Sequence, residues 1–464
     1  MKREVEDKGP EHVAPSGSMR LLRKMVDVKA MEVRALILSF VYYFFILSSY
    51  YIIRPIRDDM GAAGGVENLP WMFTGTLLAM LVANALFAAL VVKFSRRRFI
   101  PIAYRFFIFN LLLFFLLLWL VPNNQHVWVG RVFFIWTSVF NLFVISVFWA
   151  FMADVFSTDQ GKRLFGFISV GGTLGGIVGA ALTATLVQKI GLLNLLLLSA
   201  LMLELSAQCV RLFPVAFEGS RASFREKAAA DERPIGGGIW SGIAHDLRSP
   251  YLLGICAYML LYAITSTLLY FQQVSIATSA FADRGARTAF FAQIDLLVNV
   301  LTILVQAFLT GRLLKWLGVG ITLALLPAMS VIGFTALGIV PTLALFVIFL
   351  TLRRAGNFAI ARPAREVLFT VVSREDKYKA KSFIDTFIYR AGDQIGAWSS
   401  PALGWLGLGL TGVSFVAAPL AALWLLISLW LGRKQVAMAH HPPADAESPN
   451  TRTLNSMSLA EGVE

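Results

Sequence analysis

The sequence predicts an all-α membrane protein of about twelve transmembrane helices in two six-helix halves. Three observations carry that prediction. The first is composition: 57% of the 464 residues are hydrophobic and mean hydropathy is +0.69, whereas a soluble chain of this size needs far more polar surface. The second is run length. Apolar runs long enough to cross the hydrocarbon core as a helix recur at roughly 34–56, 71–92, 100–121, 128–153, 164–188, 191–213, 250–274, 287–311, 316–338, 341–360, 380–405 and 411–432. A β-barrel would show short alternating segments instead of solid runs. The third is the single long polar break, Glu218 to Arg248, where Pro234 stands beside Gly236, Gly237 and Gly238 and divides the runs six and six.

These runs define the expected organisation. Residues 1–33 form a polar N-terminal tail and 34–213 the first six-helix half. A cytoplasmic linker comes next at 214–249, then the second half at 250–432 and a polar tail at 433–464. The composition of both tails predicts disorder. Two six-helix halves joined by a cytoplasmic loop is the major facilitator layout.

The net charge of +13 and pI of 9.9 raise nucleic acid as a partner, but the basic residues alternate by side. Arg20, Arg23, Lys24 and Lys29, then Lys93 to Arg98, Lys162 and Arg163, the central linker, Arg312 and Lys315, the 353–381 stretch, Arg433 and Lys434 fall on one side. Arg54, Arg57, Arg131, Lys189, Arg284 and Arg287 fall on the other. This positive-inside bias predicts both termini in the cytoplasm and a multi-pass bacterial inner-membrane protein. The expected partners are membrane lipids and a small-molecule solute, not nucleic acid, and the chain is expected to act as a monomer. Cys209 and Cys256, the two cysteines, sit in apolar runs without ligand spacing. The five histidines, His12, His126, His245, His440 and His441, lie in tails or loops, and no Gly-rich phosphate loop is present. No enzyme activity, cofactor or metal is expected.

The candidate chemistry lies in charges within the apolar runs, which are costly there unless they face a cavity or a partner. In span one, Tyr50 and Tyr51 precede Arg54, Pro55, Arg57, Asp58 and Asp59. Pro55 disturbs the helix, and the charges near its outer end either snorkel to headgroups or grip an anion. Span five carries glycines at 171, 175 and 179 and at 172 and 176, spaced by four for close helix contact. Glu204 lies in span six. In span eight, Asp295 and Asn299 share a face, with Gln293 and Gln306 nearby; the stripe either lines a pathway or bonds between helices. In span eleven, Asp385, Tyr389 and Asp393 step by four and Arg390 lies three before Asp393. Arg390 and Asp393 could form a structural ion pair or a switching site, with Arg57 as the other candidate partner of Asp393.

Three stretches resemble the nucleotide-carrier family of ATP/ADP antiporters, relatives of the major facilitators. They are Tyr51-Ile52-Ile53-Arg54 with Arg57-Asp58, Phe148-Trp149-Ala150-Phe151 through Lys162-Arg163-Leu164-Phe165, and Lys379-Ala380-Lys381-Ser382-Phe383-Ile384-Asp385 with Gly392. The resemblance implies a carrier fold with Arg57 at a nucleotide-contacting position. The chain departs from it at Asp393, where the family has a lysine, and near Thr137, where family members have a glutamate. A multiply charged nucleotide needs cationic donors, so the carboxylate at Asp393 implies a divergent carrier with a less anionic solute.

The expected function is secondary active transport of a small solute by alternating access, the arginines holding an anionic group. The expected substrate-binding residues are Arg54, Arg57, Asp58, Asn299, Arg390 and Asp393, with Asp295 and Asp385 as coupling or gating residues. The alternatives are an ATP/ADP or phosphorylated-metabolite exchanger and a lipid-handling or assembly protein of the same fold.

Overall fold

The computed structural model describes residues 28–93, 96–122, 125–213, 249–372, 381 and 383–440. Most of the two tails, nearly all of the central linker, and Lys379, Ala380 and Ser382 of the third resembling stretch lie outside these residues. Among the described residues the chain is helical, with no strand. Ten helices among these residues are long and apolar enough to cross a membrane.

One of the ten is two crossings. Thr158–Arg211 has 54 residues, which as one straight rod would be about 80 Å long against a hydrocarbon core of roughly 30 Å. Gly191 interrupts it at φ 80° and ψ 166°, a backbone setting that glycine adopts without a Cβ clash. A further crossing falls outside the ten because Arg390, Asp393 and Gln394 dilute its hydropathy; it spans 384–405.

Among the described residues, twelve long helices result. They are α1 (Val33–Ala63), α2 (Leu69–Lys93), α3 (Arg96–Leu120), α4 (His126–Val155), α5 (158–190) and α6 (192–211). The second set is α7 (Pro250–Ala280), α8 (Arg284–Phe308), α9 (Thr310–Ile339), α10 (Leu343–Val371), α11 (384–405) and α12 (Leu410–His440). Polar residues set several starts. Ser157, Ser249, Asp283 and Thr342 each accept a first-turn backbone N–H of the helix they precede.

The helices differ from the expected runs in three informative ways. α1 continues through Pro55 to Ala63 instead of breaking there, because it is clamped lengthwise against α5. α12 extends beyond the expected end at 432 to His440. α10 extends beyond 360 to Val371 through a π-helical turn, Asn357–Ala361. Arg353 and Arg354, expected at the cytoplasmic surface, therefore lie well inside the helix.

The α1–α5 contact explains the span-five glycines. A Cβ at Gly171, Gly175 or Gly179 would collide with the backbone carbonyl oxygen of Phe40, Phe44 or Ser48. Close approach also lets Ser48 donate to the Gly175 carbonyl at 3.1 Å and Thr183 to the Ile52 carbonyl at 3.2 Å. Gly175→Ala should cost about 1–3 kcal/mol through overpacking. Gly166→Ala, where nothing lies within 4 Å of an added Cβ, should be neutral or gain up to about 1 kcal/mol. Thermal unfolding of the two purified variants checks the contrast, and equal midpoints would discard this account of α1–α5 packing.

Three apolar clusters organise the bundle. One draws almost wholly on residues 28–213 and is rich in ring contacts, most of them edge-on or tilted, with Tyr43 and Phe148 stacked at a centroid separation of 4.2 Å. Another lies within residues 251–431. The third joins Ala62, Leu69, Met72 and Phe134 to residues of α7 through α12. It lies toward the end of the bundle where the α1–α2 and α7–α8 connections sit, opposite the starts of α1 and α7. Across the middle, α5 and α1 pack on α8, and α2 packs on α11.

At the end where α1 begins, Glu32 binds the Lys29 amide at 3.0 Å, Gln160 at 2.8 Å and Arg163 at 3.0 Å. Burial works to raise its pKa, but these donors outweigh it and hold the carboxyl below the ordinary glutamate range. The site ties α1 to the start of α5. Glu204 likewise stays within the first six helices, accepting from Arg105 at 2.8 Å.

Candidate functional site

A cavity of about 310 Å³ lies between the two sets of helices, lined by α1, α2 and α4 from one and by α7, α10 and α11 from the other. That volume is within the range of small-molecule sites. Helical periodicity brings its charges together. On α1, Tyr50, Arg54 and Arg57 recur at steps of four and three and share a face. On α10, Arg353, Arg354, Asn357 and Phe358 occupy one turn at the start of the π-helical segment. On α11, Tyr389, Arg390, Asp393 and Gln394 come directly after a second π-helical turn, Ile384–Ile388. Such turns insert an extra residue and re-aim the side chains beyond them.

The α11 charges reach the cavity because that helix packs closely on α7. A Cβ at Gly392 or Gly396 would press on Ala263 and the Leu260 carbonyl, or on Thr267 and the Ile264 carbonyl. Asp393, 7% exposed, accepts from Thr267 at 3.2 Å and pairs with Arg390 at 3.2 Å. Of the two partners the sequence offered Asp393, the structure selects Arg390. Arg57 pairs with Asp58 at 3.8 Å, its guanidinium 4.1 Å from the Phe134 ring centroid. Asp58 accepts from Tyr270 at 2.9 Å across the two sets of helices.

Asp295 is 2% exposed, and its Oδ1 receives both Arg54 at 3.1 Å and Arg354 at 2.7 Å. One carboxylate oxygen thus joins α1, α8 and α10. Arg353 is also 2% exposed, and its partners are neutral: Ser330 at 3.1 Å, Ser266 at 2.9 Å and Thr265 at 2.7 Å. The hydroxyls of Thr265 and Ser330 point their own hydrogens at helix carbonyls, Leu261 and Leu326, leaving the oxygens to accept from the guanidinium.

Toward the end that carries the α1–α2 and α7–α8 connections, the two sets of helices are clasped. Asp59, fully buried, accepts from Arg284 Nε at 3.0 Å and Arg287 Nε at 2.8 Å. Thr74 donates to Gln394 at 2.9 Å and accepts from Trp398 Nε1 at 3.2 Å, with Trp71 edge-on to Trp398.

Of the expected site residues, Arg54, Arg57, Arg390 and Asp393 line the cavity, and Asp58 and Asp295 bind its lining arginines. Three expectations need correction. Asn299 is buried against Gly176 of α5 and is not on the cavity wall. The span-eight stripe ends there: Gln293 is exposed, and Gln306 is exposed and bonded to the Phe358 carbonyl. Asp385 is 41% exposed and 3.4 Å from Arg365, away from the cavity. The π turn at 384–388 breaks the expected step of four that would have aligned it with Tyr389 and Asp393. Arg353, Arg354 and the ring of Tyr262 are cavity residues that the sequence reading missed. The signal was present in the charges at the end of the tenth apolar run, but the run's early end assigned them to the surface.

No family model and no curated protein matches the chain. Solved structures do. The E. coli xylose transporter XylE in an inward open conformation aligns at TM-score 0.60 and 12% identity, covering 86% of this chain and 94% of its own. A POT family transporter in complex with 5-aminolevulinic acid aligns at TM-score 0.60 and 12% identity, covering 87% and 96%. The nucleoside transporter NupG aligns at TM-score 0.56 and 13% identity, covering 88% and 99%. The chain therefore has the all-α major facilitator fold and is a multi-pass membrane protein.

Proposed function

We propose that this protein is a secondary active transporter of a small anionic solute, working by alternating access between the six-helix halves 34–213 and 250–432. The observation that carries the reading is the cavity wall, where, among the described residues, five arginines, Arg54, Arg57, Arg353, Arg354 and Arg390, line the space with a single carboxylate, Asp393. Guanidinium groups bind carboxylate and phosphate through paired hydrogen bonds, and a cavity between helix sets is where this fold places its solutes. The cost of Asp393 to an anion is offset locally by Arg390, and Arg353 and Arg354 add cations the sequence reading had placed elsewhere. Both termini are assigned to the cytoplasmic face of a bacterial inner membrane from the basic bias of the connections, and the chain is taken to act as a monomer.

A nucleotide or phosphorylated-metabolite exchanger is the second reading. The rings of Tyr50, Phe134, Tyr262, Tyr270, Phe358 and Tyr389 around the same arginines favour it, since an aromatic wall accepts a flat heterocycle. Thermal unfolding of the purified protein against a panel of neutral, cationic and anionic metabolites tests both. A bound solute at a hundred times its Kd should stabilise the fold by about 2.7 kcal/mol. Anions are expected as the hits; stabilisation by neutral or cationic compounds alone would reject the first reading. Absence of labelled ATP or ADP counterflow in proteoliposomes would reject nucleotide exchange.

A further inference from the structure

We infer that the transported solute is a compact dianion, a deepening that rests on the anion reading above. The five cavity arginines are met by three aspartates. Arg390 is matched by Asp393 at 3.2 Å and Arg57 by Asp58 at 3.8 Å. Arg54 and Arg354 must share Asp295, both on the same oxygen. Arg353 has no carboxylate partner among the described residues; three hydroxyls hold it, and the rings of Tyr262, Phe334 and Trp424 lie 5.5 to 5.8 Å from it. Among the described residues, two positive charges are left without a counter-charge, one on the Arg54/Arg354 pair and one on Arg353.

Hydroxyls and ring faces solvate a buried guanidinium without neutralising it, and an unmatched buried charge is strongly unfavourable. A solute that supplies the missing counter-charge is therefore bound in proportion to the charge it brings. A monoanion leaves one cation unmatched, and a polyanion brings charge that has no partner. Arg353, held on the α7 and α9 side, and Arg354, paired with Asp295 of α8, both line the same cavity, so both excess charges border the space a solute would fill. A cavity of about 310 Å³ has room for one phosphate monoester group or a short dicarboxylate, and guanidinium groups bind both bidentately.

The test is affinity of the purified full-length protein for charge-matched pairs at pH 8 and constant ionic strength: phenyl phosphate against phenyl sulfate, and succinate against its monomethyl ester. ADP and phenyl glucoside complete the set. At least one dianion should bind about tenfold or more tighter than its monoanionic partner, as expected for one added charge-assisted contact, and the pair that shows it identifies a phosphoryl or a dicarboxylate solute. Arg353→Gln should shrink that preference to about twofold or less, while Arg353→Lys should retain it. Unliganded thermal midpoints of both variants verify that they are folded. If monoanions and dianions bind equally, or if the preference survives in folded Arg353→Gln, the dianion inference fails and the anion reading stands. Tightest binding by ADP overturns it in favour of a polyanion. Binding of phenyl glucoside alone, or of none of the set, overturns both.

Discussion

Asp295→Ala is expected to lower the stability of the protein by about 3–5 kcal/mol, the loss typical when one member of a buried ion network is removed. The reason is local. Asp295 is 2% exposed and is the only carboxylate within 4.0 Å of Arg54 or Arg354 among the described residues. Removing it strands two guanidinium groups in the interior between α1, α8 and α10. Thermal unfolding in detergent should show a large drop in midpoint, and Glu204→Gln should show a much smaller one, because the Arg105–Glu204 pair is partly exposed. Two rescues sharpen the result. Asp295→Ala combined with Arg354→Gln should recover much of the loss by removing one stranded charge. Added sulfate should stabilise Asp295→Ala more than the parent protein, since the variant has an extra unmatched cation at the cavity. A midpoint unchanged by Asp295→Ala would show that this triad does not hold the helices together.

Asp59→Ala is expected to shift the protein toward a form whose cavity opens at the end carrying the α1–α2 and α7–α8 connections. Asp59 is fully buried and receives two arginines from α8, so it is a charge-assisted clasp between the helix sets. The contacts of Thr74 and Trp71 with Gln394 and Trp398 persist in the variant and limit the shift. Loss of about 3 kcal/mol from the closed side changes the ratio of the two forms by roughly a hundredfold. A cysteine at Ser138, on the cavity wall, reports the change when Cys209 and Cys256 have been replaced. Its modification by a membrane-impermeant maleimide applied from the clasped side should rise by at least tenfold in Asp59→Ala. An unchanged rate, with the protein still folded, would mean that these ion pairs do not gate that end.

How much of this was legible in the sequence depends on the distance over which each feature is decided. Hydropathy located the twelve crossings because each must bury a run of its own length, a demand the local composition answers. It even separated 164–188 from 191–213, where the helix is continuous but for Gly191. It failed at the ends of α10 and α12, where neighbouring helices let the chain stay helical past the last strongly apolar residue. Arg54, Arg57, Arg390 and Asp393 were recognisable because a charge in an apolar run has to face something polar. The identity of each one's partner was not recognisable.

The sequence by itself therefore determined the fold class, the number of crossings and the presence of a charged interior, all consequences of excluding polar groups from lipid. Only the tertiary structure decided the pairing. Asp295 meets arginines that lie 241 and 59 positions away in the chain, and Asp385 is turned out of the site by a π-helical turn that no periodicity announces. Among the described residues, Arg353 is left without a carboxylate because its neighbours across the bundle are serines, a threonine and rings. Charge balance in a low-dielectric interior is a property of the groups packed beside a residue, and that packing is set by helix contacts between distant segments, not by the residues that flank it in the chain.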